Sequence, residues 1–257
     1  MTIYSWNMLF RNSELDRAFE FVSKSDFDIF CLQEVPEAFL ERLKTLPFSI
    51  ASRTDVEKLY GPNIVPMFNV ILSRHSISAE GEIPFPEYWH LLPLRTRLFV
   101  RLMPQQLFSK IKNRGGLYAD IMINGTSVRV FNLHLILAQP AWRLKEFELA
   151  MAERDASRPT IVCGDFNTIQ APHITPLNWL LGGPVTDALL YNRERTNIEK
   201  CFVEHTLTNA LAGGITHPLS QSQLDHILVS HAFSIKNTEV LPDRIGSDHH
   251  PIRVEVA

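Results

Sequence analysis

Thr160-Ile161-Val162-Cys163-Gly164-Asp165-Phe166-Asn167 reads as a buried strand that ends in chemistry. Thr160–Cys163 carries the apolar, β-branched character of a strand. The Gly-Asp-Phe-Asn that follows puts a carboxylate and an amide at its end. Side chains two apart share one face of a strand, so Asp165 and Asn167 point together if the strand geometry continues. A tight turn, with Gly164 and Asn167 supplying unusual backbone angles, is the alternative.

Working outward, the neighbouring segments alternate between strand-like and helical patterns. Ser127–Leu133 and Leu117–Ile123 read as strands joined by Asn124-Gly125, a strong hairpin turn. A helix near Trp142–Glu153 carries Leu144, Phe147 and Met151 on one face. Further strands are expected at Thr2–Trp6, Phe27–Leu32, Val65–Leu72, Leu224–Ser230, Ser234–Leu241 and Ile252–Val256. Ser13 suits the N-cap of a helix bearing Leu15, Ala18, Phe19 and Val22, and Pro36 suits the first turn of another. Hairpins outnumber βαβ units, so two stacked sheets flanked by helices fit better than a doubly wound parallel sheet. No linker interrupts the pattern, and one domain over 1–257 is expected.

Polar groups recur where these strands end. They include Asn7, Gln33-Glu34, Asn132 and His134, Asp165 and Asn167, Asp225, and Ser247-Asp248-His249-His250-Pro251. Each type has a task in phosphate-ester hydrolysis. A hard cation such as Mg²⁺ takes oxygen ligands, with one or two carboxylates beside substrate phosphate and water. Glu34 is a candidate ligand. Asn7, Asn167 and His134 are candidate donors to phosphoryl oxygens. His249 with Asp225 makes a histidine–carboxylate pair able to accept a proton from water near neutral pH. His250, next in the chain, should face the other way and pack.

Composition sets outer bounds. The chain has 257 residues, 45% of them hydrophobic, with a net charge of −3. Overall charge gives no sign of a nucleic-acid binder. No apolar run is long enough for a transmembrane helix, and the N-terminus reads as a strand and not a signal peptide. Cys31, Cys163 and Cys201 are too widely spaced for a zinc motif, and their odd number argues against a disulfide framework. A reducing cytoplasm is the natural location.

Taken in order, Ser5-Trp6-Asn7, Gln33-Glu34, Ile71-Leu72-Ser73-Arg74, Asn132-Leu133-His134, Gly164-Asp165-Phe166-Asn167, Leu224-Asp225-His226-Ile227 and Ser247-Asp248-His249-His250-Pro251 resemble the endonuclease/exonuclease/phosphatase superfamily. The resemblance runs from about residue 3 to 254. It implies a four-layer α/β sandwich with two central mixed or antiparallel sheets, and metal-dependent cleavage of phosphoester bonds by water attack. It implies Mg²⁺, with Mn²⁺ as a substitute, held mainly by Glu34 with Asn7 nearby. Asp165 and Asn167 resemble the pair that contacts the attacking water and the phosphate. Asp225 resembles the carboxylate that orients His249, and His134 a phosphate-contacting histidine of the DNase and sphingomyelinase branches. Asp248 is either a metal ligand or a group behind it. Either Asp165 or His249 takes the proton. Leu9 stands where abasic-site endonucleases have aspartate, and His134 where they have tyrosine; both argue against that branch. Asn69 stands where glycine is common.

The segment Ile83–Arg114 breaks the rhythm and looks like an insertion. Arg95, Arg97, Arg101, Lys110, Lys112 and Arg114 face a single acid, Glu87, giving a local +5 and leaving −8 elsewhere. Among them lie Phe85, Tyr88, Trp89, Leu91, Leu92, Leu94, Leu98 and Phe99. Such a stretch suits a nucleic acid, an anionic membrane surface, or a lid packed on the body. Arg114, Trp89 and Asn132 are the candidate substrate contacts. A nuclease-type phosphodiesterase is the leading expectation. A phospholipid or inositol-phosphate hydrolase is the second, and a catalytically silent binding protein on the same fold the third.

Overall fold

Five strands share one habit: their inner-facing residues turn from apolar to polar toward the same end. The rows are Ile3-Ser5-Asn7, Ile29-Cys31-Gln33, Val130-Asn132-His134, Ile161-Cys163-Asp165 and Val229-Ile227-Asp225. Residues two apart share a face, so each row runs from the core into what becomes the site.

The computed structural model describes residues 1–60, 62–102, 110–170, 175–186 and 193–257. A seven-stranded sheet has the order β12-β13-β1-β2-β4-β3-β6, and a six-stranded sheet the order β10-β11-β9-β8-β7-β5. The first contains β1 (Thr2–Asn7), β2 (Ile29–Pro36), β3 (Ser49–Tyr60), β4 (Asn63–Ser73), β6 (Lys110–Lys112), β12 (Ile235–Val240) and β13 (Ile252–Val256). The second contains β5 (Ile77–Pro84), β7 (Gly115–Ile123), β8 (Thr126–His134), β9 (Thr160–Asp165), β10 (Leu207–Asn209) and β11 (Asp225–Ser230). Both are mixed: β1–β2 and β8–β9 run parallel, and the other pairs antiparallel. Helices α1 (Leu15–Lys24) and α2 (Glu37–Leu43) cover the first sheet; α4 (Pro140–Ala152) and α6 (Arg193–Glu204), with the short α5 (Thr175–Leu180) between them in the chain, follow, and α4 and α6 cover the second. The expected four-layer α/β sandwich is the observed architecture.

Three apolar layers hold it together. Ile3, Ile71, Val130, Ile161 and Ile227 pack between the sheets. Trp6, Phe30, Leu32 and Val70 meet α1 and α2, while Phe131, Val162 and Leu228 meet Phe147 and Phe202 of α4 and α6. Strands buried on both faces read as continuous apolar runs, which is why Ile29–Leu32 and Ile161–Cys163 show no polar alternation. Gly164 has φ +143°, and a Cβ there would fall 1.8 Å from the Leu133 carbonyl oxygen on the parallel neighbour β8. Only glycine lets the two strands approach so closely at the edge of the site.

Some local expectations are revised. Helix α1 begins after Glu14 without a side-chain cap; Asn12, not Ser13, holds the entry by accepting the Glu14 N–H at 2.7 Å. The strands β3 and β5 were not foreseen, because Ser49–Tyr60 is largely polar and Ile77–Pro84 pairs at a sheet edge. The segment 83–114 leaves the second sheet at the end of β5. It passes through a short 3₁₀ turn (Trp89–Leu91) and α3 (Leu94–Leu102); residues 103–109 lie outside the described residues, and Lys110–Lys112 join the first sheet as β6, paired to β3. It therefore walls one side of the space between the sheet ends.

Candidate active site

A cleft of about 420 Å³ opens where the polar row ends converge. Asn7, Glu34, Asp55, His134, Asp165, Asn167, His217, Asp248 and His249 line its floor. Strand pairing puts the scattered motifs there. Asn7 pairs with Gln33, His134 with Asp165, and Asp165 with Asp225. The final turn is tied to the first strand, since Ser247 Oγ donates to the Asn7 carbonyl at 2.7 Å and Trp6 Nε1 donates to the His249 carbonyl at 3.3 Å.

Two β-bulges finish the floor. The β2–β4 register slips between Leu32 and Val35, and Glu34 takes a left-handed φ of 55°. The β3–β4 register slips between Thr54 and Val56, which singles out Asp55. A bulge re-aims a side chain against the two-residue alternation. Glu34 thus reaches the cleft although its neighbour Gln33 already faces inward, and Phe10 N–H steadies its Oε2 at 3.1 Å. A left-handed conformation away from glycine is strained, and such strain gathers where function needs it.

Two histidines approach Asp165 from either side, each anchored by a carboxylate. His249 Nδ1 lies 2.8 Å from Asp225 Oδ2, and His249 Nε2 lies 3.7 Å from Asp165 Oδ2. His134 Nδ1 lies 2.7 Å from Asp55 Oδ2, and its Nε2 lies 3.9 Å from both Asp165 Oδ2 and Glu34 Oε1. Burial alone would lower both imidazole pKa values. The surrounding carboxylates, Asp225 and Asp165 for His249 and Asp55 for His134, outweigh it and hold them near 10 and 9. Burial pushes Asp165 the other way, above the usual carboxylate range, although His249 and His134 oppose it.

Asn7 sits between the acids. Its Nδ2 donates to Asp165 Oδ2 at 3.0 Å and stands 3.5 Å from Glu34 Oε1, while its Oδ1 accepts the Leu9 N–H. Asn7 therefore turns its donor toward the carboxylates. Asn167 has φ 53° just beyond the end of β9, so strand alternation does not bring it beside Asp165. An Asx turn does: the Asn167 N–H donates to Asp165 Oδ1 at 2.8 Å, and Arg143 grips the Asn167 carbonyl from behind. Asp248 faces His217 at 3.9 Å and His249 at 4.0 Å.

The three expected substrate contacts fare differently. Trp89 and Arg114 line the cleft. The Arg114 guanidinium is already engaged, donating to Glu146 and to the His134 carbonyl and lying against Phe85 and Tyr88, so it positions the His134 strand. Asn132 does not reach the cleft. It is fully buried one row deeper, where it accepts from Gln33 Nε2 at 2.7 Å and donates to the Leu32 and Val70 carbonyls. Buried amides without water must pair internally, and these stitch the two sheets together. His250 packs as expected, with Nδ1 2.7 Å from the Leu241 carbonyl. Asp55 and His217 were missed. Asp55 lies in a strand whose sequence is mostly polar, and His217 is one histidine in a loop. Arg143 was missed too, since an arginine on an amphipathic helix reads as a solvated charge.

The donor set suits a hard cation. Glu34 and Asp165 both stand near Asn7 Nδ2 and His134 Nε2, which puts two carboxyl groups on one side of the cleft. Among the described residues, the buried Asp248 Oδ1 has no hydrogen-bond partner. Acid and imidazole groups also fall close enough to share an ion at Asp165, Asp225 and His249, and at His217, Asp248 and His249. Carboxylate and imidazole groups so placed are able to hold a divalent ion.

The chain matches the endonuclease/exonuclease/phosphatase family over residues 4–249, and it belongs to that family. Its members are metal-dependent phosphoesterases. No curated protein matches the sequence. Among solved structures, a family protein from Leptotrichia buccalis superposes with a TM-score of 0.69 at 17% identity, covering 100% of this chain and 99% of its own. A mannosyl-6-phosphatase from Bacteroides thetaiotaomicron gives 0.65 at 19% identity, with 100% and 99% coverage. A 3′ phosphatase from Neisseria, bound to a product DNA hairpin, gives 0.61 at 17% identity with the same coverage. At these identities the likeness is one of fold.

Proposed function

We infer that the chain is a Mg²⁺-dependent phosphodiesterase whose substrate carries an apolar group next to the phosphate. The observation that carries this reading is the cleft itself. Its charged floor continues directly into a wall of Tyr88, Trp89, Leu92, Val100, Ile136 and Leu177. A pocket with a few convergent polar groups and a broad apolar lining binds a ligand of the same division.

Glu34, with Asp248 lining the same cleft, would hold the cation, which when bound neutralises phosphoryl charge and acidifies water. The residues of the chain do the rest. His249, kept in one tautomer by Asp225, donates from Nε2 to a phosphoryl oxygen. The protonated His134 offsets charge on the same group, with the second N–H of the Asn167 amide, whose Nδ2 also donates to the Leu135 carbonyl at 2.9 Å. Asp165, flanked by the Nε2 atoms of His249 and His134, takes the proton of the attacking water. The water oxygen bonds to phosphorus, the ester P–O bond breaks, and the departing oxygen takes a proton from solvent.

A polynucleotide is less well served. Tracking its backbone needs a row of cations, whereas among the described residues Lys58 and Lys112 are the lysines that line the cleft and Arg114 is engaged by Glu146. The lipid-type phosphodiester gains ground accordingly. A silent binding protein would have no use for two carboxylate-anchored histidines aimed at one acid.

The test is a panel of single- and double-stranded DNA, RNA, sphingomyelin, phosphoinositides, sugar phosphates and a chromogenic diester, with and without Mg²⁺. Metal-dependent hydrolysis that favours diesters with an apolar group supports the reading. No hydrolysis of any member, or turnover indifferent to Mg²⁺, overturns it.

A further inference from the structure

Helix α3 buries only one side. Thr96 and Val100 face inward, and Val100 lines the cleft. On the opposite side Leu94, Leu98 and Leu102 recur every four residues, exposed at 66%, 54% and 76%. Four-residue spacing stacks side chains on one helical face. Scattered exposed leucines are ordinary, but an aligned row on one helix is not. Leu91, half exposed, precedes it in the 3₁₀ turn.

Cations border the row. Helical geometry puts Arg95 to one side of the leucines and Arg97 and Arg101 to the other. Arg95 is braced against the carbonyls of Trp179 and Gly183 and lies 5.0 Å from the Trp179 ring centroid. Trp179 is itself partly exposed. Arg101 lies over Trp89, which lines the cleft. The helix has no acidic residue. An apolar stripe between arginines, with a tryptophan at its border, complements an anionic lipid surface: tails take the leucines and headgroups take the guanidinium groups. The sign of charge matters here, since the rest of the chain is net negative and such a surface would repel it.

We propose that α3 seats the protein on an anionic membrane through Leu94, Leu98 and Leu102, which holds the cleft on the inner side of the same helix beside the bilayer that supplies a lipid phosphodiester. The opposite face of the same helix forms part of the apolar wall. The proposal rests on the phosphoesterase reading and narrows its substrate to a membrane lipid.

Co-sedimentation with phosphatidylcholine vesicles, with and without phosphatidylserine, tests it on the full chain. The wild type should sediment with the phosphatidylserine vesicles, less so at high salt. Leu94→Ser/Leu98→Ser should weaken that binding by about tenfold or more, the scale of withdrawing two leucines from an apolar phase. Both residues are exposed, so the variant should keep the wild-type melting temperature and its turnover of a soluble chromogenic diester. Absence of wild-type sedimentation, or equal sedimentation of the variant, overturns the proposal. So does a wild-type dimer that the variant dissolves, or single-stranded DNA binding lost with the leucines, because each gives the stripe another occupant. Soluble turnover without vesicle binding refutes the docking alone; vesicle binding without turnover of any phosphoester refutes the hydrolase reading alone.

Discussion

Individual side chains at the cleft floor are defined by what lies behind them. Asp225 and Asp55 each hold one imidazole Nδ1, leaving both Nε2 atoms toward Asp165. His249→Ala should lower turnover by about 10²-fold or more, the usual scale for a lost acid or base. His250→Ala, whose imidazole only packs near Leu241, should stay near wild type. A reversed result in a rate assay would exchange their roles. The raised pKa values also make a stability prediction for the metal-free protein. Both histidines bind protons more tightly folded than unfolded, so their contribution is complete below the ordinary 6.5. It fades as pH rises through about 9 and about 10. The melting temperature in chelator should therefore fall across that window, and less steeply in His249→Gln. A flat profile would show that the carboxylates do not hold these protons.

Elements contribute by where they end and where they slip. The β9 strand stops at Asp165 and hands Asn167 to an Asx turn, while β8 continues to His134 alongside it. Gly164 makes that closeness feasible. Gly164→Ala would drive a methyl into the Leu133 carbonyl and should destabilise the fold by about 3 kcal/mol or more, visible as a lower urea midpoint. An unchanged midpoint would mean that β8 and β9 separate easily. The bulges matter equally. Without the register slip in β2, Glu34 would point away from Gln33 and from the cleft.

Over the whole molecule, residues from the first strand to the last meet because two sheets bring their polar ends together. Gathering carboxylates there is unfavourable by itself. A bound dication should offset that, and ligand binding to the native state alone stabilises by about 2.7 kcal/mol at a hundredfold excess over Kd. Mg²⁺ should therefore raise the melting temperature of the wild type and do so much less for Glu34→Gln. Equal shifts in a thermal scan would place the cation elsewhere. Among the described residues, no helix is long and apolar enough to cross a membrane.

The strand ends, the paired acids and histidines and the sandwich itself were legible in the sequence, because apolar runs and the residues after them follow from local pattern. Asp165, His249 and Glu34 were read there and stand together in the cleft, and Asp225 was read as the carboxylate that holds His249 from behind. Other assignments depended on contacts between distant segments. Asn132 has the same spacing from His134 that would put both in the site, yet the opposing sheet covers it and makes it an internal tie. Asp55 lies in an unremarkable polar strand and gains its role only because a bulge turns it toward His134. Periodicity is a property of one strand, whereas burial and register belong to pairs of them; only the folded sheets could decide which polar residues face a substrate and which face each other.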